Sequence, residues 1–303
     1  MGSKFSHRRS VARKPPICIK PKPKPPPPPV SPAPFTWPAA GLIPEHARHP
    51  VRPPPTPPFV PILTRNLIYH VYPQPSNGAW WANLAQLKRR LHLFNGKKII
   101  AVAQGPDLLS TTIVQLALGS SCTYLEIPND ARLRDSATFL PLLRAVKSQD
   151  PTEATFYGHT KGASPHLWTD ERLCRAIMYW RNTMYHLLLD KWPEVTRALD
   201  THPCVGCFLI DWSSLGPGTM RSPAGFVHGI WHFAGTFFWF RHDCLFGDPR
   251  WSAIADDPWA NEMYLGGIFS ADQAFSMNER GAPAQADQTR LHDPDSYRLQ
   301  IPD

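Results

Sequence analysis

The stretch from Gly229 to Phe246, G-I-W-H-F-A-G-T-F-F-W-F-R-H-D-C-L-F, constrains this chain more than any other. Side chains of an extended strand alternate between faces, so Trp231, Phe233, Phe237 and Trp239 are expected on one side and Ala234, Phe238 and Phe240 on the other. With both sides apolar, the segment reads as one central strand covered by a layer on each face. Packing alone does not call for His232 and Thr236, expected on a shared face, or for Gly235 between them. A glycine inside a buried strand weakens it and marks a place where a ligand or another backbone comes close. His232, Gly235 and Thr236 are therefore candidate binding residues, against the plainer reading of a core strand with one hydrogen-bonded histidine.

Strand and helix patterns alternate in the segments around this stretch. Strands are expected at Asn66–Tyr72, Lys98–Ala103, Cys122–Ile127 and Ala154–Tyr157, with a fifth at Cys204–Ile210 ending in Asp211-Trp212. Helical spacing is expected at Ala79–Phe94, Asp107–Leu118, Asp135–Val146 and Glu171–Asp200, the last broken at Pro193, and again over Pro258–Phe269. Strand, helix, strand with short joins implies parallel strands and helices on both faces. The expected class is α/β, a doubly wound, mostly parallel, Rossmann-like sheet.

More than half of the 36 prolines precede Thr64. Runs such as K-P-K-P-P-P-P-P-V favour polyproline II and exclude helix or central strand, so residues 1–62 are expected to be a disordered basic arm and 63–303 the folded domain. The domain is expected to end in a polar segment from about residue 278 that wraps the surface. Up to Pro61 the arm holds ten Lys and Arg against Glu45 alone, and the whole chain is +8, which leaves the rest one unit negative. The basic pI of about 9.3 therefore belongs to the arm and gives no reason to expect a nucleic-acid surface on the domain.

Six cysteines spread through apolar surroundings suit a reduced, cytoplasmic protein. No run is long and apolar enough for a membrane span, and a signal-peptide core is not seen. The start M-G-S-K-F-S fits the myristoylation pattern at Gly2 and Ser6, with basic residues following, which would add peripheral membrane attachment. A solvated basic tail is the competing reading.

In an open α/β sheet, ligands bind beyond the carboxyl ends of the strands. Those ends carry Asn77 and Gly78 after the first strand, His159, Thr160 and Lys161 after the fourth, and Asp211 after the fifth. G-H-T-K-G offers an imidazole, a hydroxyl, an ammonium and glycine-flanked amides, a set suited to a diphosphate; a solvated surface turn is the alternative. Cys204-X2-Cys207 with His228-X3-His232 has zinc-ligand composition, but cysteines three apart in a strand face opposite ways.

F-Y-G-H-T-K-G-A-S (Phe156–Ser164), W-R-N-T-M-Y (Trp180–Tyr185), H-F-A-G-T-F-F-W-F-R (His232–Arg241) and E-M-Y-L-G (Glu262–Gly266), in this order with the strands, resemble a family of glycosyltransferase-like proteins of polysaccharide biosynthesis with a GT-A-type fold. The resemblance covers roughly Asn66 to Phe275. It implies a nucleotide-sugar donor, a glycan acceptor and a carboxylate base, for which Glu262 and Asp211 are the candidates. Where GT-A enzymes carry Asp-X-Asp for Mn²⁺ or Mg²⁺, this chain has His159-Thr160-Lys161, which implies cationic side chains on the diphosphate in place of a tightly bound metal. The rival expectation is a non-catalytic glycan- or nucleotide-binding protein that recruits polyproline-binding partners through its arm.

Overall fold

The computed structural model describes residues 57–164, 170–211 and 231–278. Strands β1 (Thr64–Val71), β2 (Lys98–Gln104), β3 (Thr123–Pro128) and β4 (Glu153–His159) alternate with helices α1 (Ala79–Lys88), α2 (Thr111–Leu118) and α3 (Ser136–Val146). Then come α4 (Glu171–Tyr185), a π-turn at His186–Asp190, α5 (Trp192–Leu199), and the short strands β5 (Cys204–Gly206) and β6 (Leu209–Asp211). Beyond residue 230 lie β7 (Trp231–Phe233), β8 (Phe238–Arg241), α6 (His242–Gly247), α7 (Ala260–Ile268) and β9 (Ala274–Ser276). The main sheet runs β3-β2-β1-β4-β8-β5-β9, with β6 and β7 paired separately. Within the main sheet only β8 runs against its neighbours.

Period-two alternation sorts each strand's side chains into two cores. Leu67, Tyr69, Val71, Ile100, Val102, Phe156 and Trp239 pack with residues of α1, α2, α4 and α5. Ile68, Ile99, Ala101, Tyr157, Phe238 and Phe240 pack with residues of α3, α6 and α7. The expected α/β class, helices on both faces of a mostly parallel sheet, is the observed one. The π-turn that follows α4 leaves the carbonyl of Leu188 to accept the indole N–H of Trp239 at 2.9 Å, tying the helical layer to β8.

The central aromatic stretch is not one strand. It is split at Ala234-Gly235-Thr236, where Thr236 N–H donates to Phe233 O at 3.2 Å and both Gly235 (φ 91°) and Thr236 (φ 61°) are left-handed. A turn with positive φ at its third residue takes glycine there. The reversal changes the faces: Trp231 and Phe233 join the α3/α6/α7 core, whereas Phe237 and Trp239 join the opposite one. Within this stretch, only β8 is a doubly covered central strand. The expected fifth strand is likewise two strands, parted at Phe208 (φ 55°), whose N–H donates to Asn278 Oδ1 at 2.6 Å. Cys204 and Cys207 lie in opposite cores, as residues three apart along a strand do, so the two thiols do not converge on one site.

Helix α1 ends at Lys88, not at Phe94, and a single 3₁₀ turn (Leu91–Leu93) completes the expected segment. Toward the N-terminus, packing reaches past the expected boundary at 62. Phe59 and Ile62 are buried, the Phe59 N–H donates to Asp200 O at 2.9 Å, and the Phe59 ring lies 4.7 Å under the guanidinium of the fully buried Arg241. Expectations for residues 1–56, the loop Ser213–Gly225, His228 and the segment after Asn278 fall outside the described residues. Among those described, no helix is long and apolar enough to cross a membrane.

Candidate functional site

The ends of β1 and β4 are fastened to each other before any candidate side chain is placed. Thr160 N–H donates to His70 O at 3.0 Å, Thr160 Oγ1 accepts from Tyr72 N–H at 2.9 Å, and Tyr69 Oη donates to His159 O at 2.7 Å. Thr160 is thus a buried brace. Asn77 does similar work: its Nδ2 donates to Ala163 O at 2.8 Å and its Oδ1 accepts from Ala79 N–H at 3.0 Å, fixing the H-T-K-G loop against the start of α1, where Gly78 is the cap residue. The amides of Thr160, Lys161 and Ala163 donate to His70 O, His159 O and Thr160 O. The expected cradle of exposed amides is therefore absent at these three residues, which leaves side chains as the loop's outward-facing donors.

Those side chains meet at the Gly235 turn. His159 Nε2 donates to Gly235 O at 3.1 Å, and the Gly235 N–H donates to Glu262 Oε1 at 3.1 Å. His232, buried on β7, sets its Nε2 3.8 Å from the same Glu262 oxygen. Lys161 is half-buried, with its ammonium 3.8 Å from the centre of the Trp180 ring. Gly235 is required as glycine, because a Cβ would stand 2.9 Å from Met184 Sδ and 3.0 Å from Trp180 Cζ2. His159, Lys161, His232, Gly235, Thr236 and Glu262 are thus gathered at one place, beyond the carboxyl end of β4. Asp211 is placed apart from the main sheet: it ends β6 opposite Trp231, one step from the Ile210–His232 pair.

Behind His159 is a buried polar group that the sequence reading missed. Asp135 Oδ2 lies 3.5 Å from His159 Nδ1, receives the amide of Asn261 at 2.5 Å, and is 3.5 Å from Tyr157 Oη. Asn261 Oδ1 in turn accepts from Ser136 Oγ at 2.8 Å. His70 Nδ1 donates to Thr138 Oγ1 at 2.9 Å, because that hydroxyl is itself donated to Asp135 O. An aspartate preceding a helix reads as a cap, yet the Asp135 side chain caps nothing in α3 and faces His159. The available signals were single polar residues at apolar positions: His70 in β1, and Asn261 beside Glu262.

Burial lowers the imidazole pKa values here. His70 falls to about 4, with the Asp135 charge opposing the fall, and His159 and His232 fall for the same reason, opposed by Asp135 and Glu262 respectively. Burial also lowers Lys161, opposed by Glu262 and Asp135. For Asp135 burial pushes upward, but the two histidines and the Asn261 amide outweigh it and hold the carboxyl below its ordinary range. At neutral pH the site therefore presents neutral imidazoles around a carboxylate. Both His159 nitrogens face oxygens, so an incoming proton would find a partner on each side.

No protein-family model and no curated protein matches the chain. Among solved structures, it is similar to a crystal structure from Desulfovibrio desulfuricans G20 provisionally named a nucleotide-diphospho-sugar transferase, at 10% identity, over 71% of this chain and 80% of that one, with a TM-score of 0.35.

Proposed function

We propose that this chain binds a nucleotide-activated sugar at the carboxyl end of β4 and transfers the sugar to a glycan acceptor. The observation that carries the reading is the meeting of Lys161, His159 and Glu262 around Gly235, in a doubly wound sheet where ligands sit at such strand ends. Lys161 faces the diphosphate and stabilises the charge that grows on it as the anomeric carbon–oxygen bond breaks, while His159, held between Gly235 O and Asp135, fixes the turn whose amide holds Glu262. The acceptor hydroxyl forms the new bond to that carbon and gives its proton to Glu262. Among the described residues, the Gly235 and His232 contacts of Glu262 both fall on Oε1, which leaves Oε2 to take that proton. The resemblance of H-T-K-G and E-M-Y-L-G to glycosyltransferase-like proteins supports the same assignment. The Lys161 ammonium stands in for a tightly held metal in this account. Attack by way of Asp211 is the competing base assignment.

One observation favours binding without turnover: the Thr160, Lys161 and Ala163 amides are spent internally, so the loop has fewer donors for a departing diphosphate. A panel of sugar nucleotides, incubated without acceptor and assayed for released nucleotide, separates the two readings. Slow release that survives EDTA and falls with Lys161→Ala, alongside roughly 1.5 to 3 kcal/mol of lost binding, supports transfer. Binding with no release at any concentration supports the non-catalytic reading, and binding that needs Mn²⁺ and ignores Lys161 overturns the placement of the diphosphate.

A further inference from the structure

The buried face of α4 repeats at helical spacing through Ile177, Trp180, Met184 and Tyr185, and Arg181 falls among them. It is only 6% exposed. Its side-chain hydrogen bonds go to the amide oxygen of the adjacent Asn182, at 3.2 and 3.1 Å, and among the described residues no carboxylate pairs with it. The nearby Tyr69 and Tyr185 phenols are pushed upward by burial and stay neutral, so they do not compensate a guanidinium. A buried cation without a counter-ion is costly unless something anionic arrives to meet it.

Arg181 lines a pocket of about 190 Å³ between α1 and α4, together with Gly78, Ala82, Lys161, Cys174 and Ile177. Lys161, the other cation inside, has its ammonium over the Trp180 ring and among the described residues forms no ion pair. The α1 end that borders the pocket carries no acidic residue in its first turn; Asn77 Oδ1 takes the Ala79 N–H, but no charge within the helix offsets its positive end. At the rim, Arg175 and Glu171 pair with each other at 3.4 Å and cancel.

We propose that this pocket is an oxyanion site, in which Arg181 and Lys161 together grip a diphosphate group. It rests on the donor reading above only in sharing Lys161, and it adds Arg181 as the second cation with a planar, two-pronged fit to phosphate oxygens. The apolar walls given by Ala82 and Ile177 take the carbon skeleton attached to the anion.

The probes are inorganic pyrophosphate, inorganic phosphate and a nucleoside diphosphate, titrated against the full chain. Pyrophosphate is expected to bind, with Arg181→Gln weakening it about tenfold or more and Arg181→Lys restoring part of the loss. Cys174 supplies a readout that does not depend on a variant folding: in a Cys18→Ser background it is the half-buried thiol, whereas Cys122, Cys204, Cys207 and Cys244 are buried. Pyrophosphate is expected to slow its alkylation several-fold. A wild-type chain that fails to bind pyrophosphate, or binds it with Cys174 alkylation unchanged, overturns the proposal, as does a folded Arg181→Gln protein with unaltered affinity. Free phosphate binding as tightly as pyrophosphate would likewise count against a diphosphate site. Pyrophosphate binding without any sugar-nucleotide binding would support the pocket while removing the donor reading; sugar-nucleotide binding indifferent to Arg181 would do the reverse.

Discussion

His159 and Glu262 are joined through Gly235, one donating to its carbonyl and the other accepting from its amide, each at 3.1 Å. They lie 76 and 27 residues from that glycine in sequence, on the end of β4 and in α7. The turn therefore sets the separation of the imidazole and the carboxylate, and damage to it should disturb both at once.

Gly235→Ala should be destabilised by about 1 to 3 kcal/mol in urea unfolding, because a side chain there is forced into left-handed backbone and against Met184 and Trp180. Gly235→Val should lose more, and whatever folds should bind the donor poorly. A Gly235→Val protein with normal stability and normal binding would remove the turn from the site.

The extent of the packed chain gives a second expectation. Deleting residues 1–56 should leave the melting temperature nearly unchanged, since proline-rich basic sequence buries little apolar surface. Deleting 1–62 also removes the buried Phe59 and Ile62 and the contact of Phe59 with Arg241, and should cost about 3 kcal/mol or more. Equal melting temperatures for the two truncations would contradict the packing described.

Stability should depend on acid through His70. Its pKa in the folded chain, about 4, lies below that of the unfolded chain, so the unfolded state takes the proton first as pH falls. The contribution of neutral, buried His70 is complete above about pH 6.5 and lost as pH drops to about 4, on the order of 3 kcal/mol over that window. Asp135 and His159 face it and act in opposite directions. Denaturation of wild type and His70→Gln between pH 4 and 7 should show a shallower slope in the variant; parallel curves would contradict a neutral buried His70.

The strands β1 to β4 and the helices between them were legible because their apolar positions follow periods of two and of 3.6. The Ala234-Gly235-Thr236 turn was not, since aromatic residues on both sides continue the alternation through it, and a left-handed threonine leaves no mark in sequence. Phe208 hid the division of β5 from β6 for the same reason: an aromatic residue is not expected at φ 55°. Among the residues of the candidate site, Lys161 and His159 were singled out from a glycine-flanked polar run at a strand end, and Glu262 from resemblance. Asp135 and Arg181 were not, because a carboxylate at a helix start reads as a cap and an arginine in an amphipathic helix reads as surface.

The most direct test of the account is transfer by Glu262→Gln, which keeps the size of the side chain and its bond from Gly235 but cannot take a proton. Transfer to acceptor should fall about 10²-fold or more while donor affinity stays within a few-fold, with Asp211→Asn as the comparison. Full activity in Glu262→Gln, with loss in Asp211→Asn, would contradict the site built around Gly235 and move the base to the end of β6.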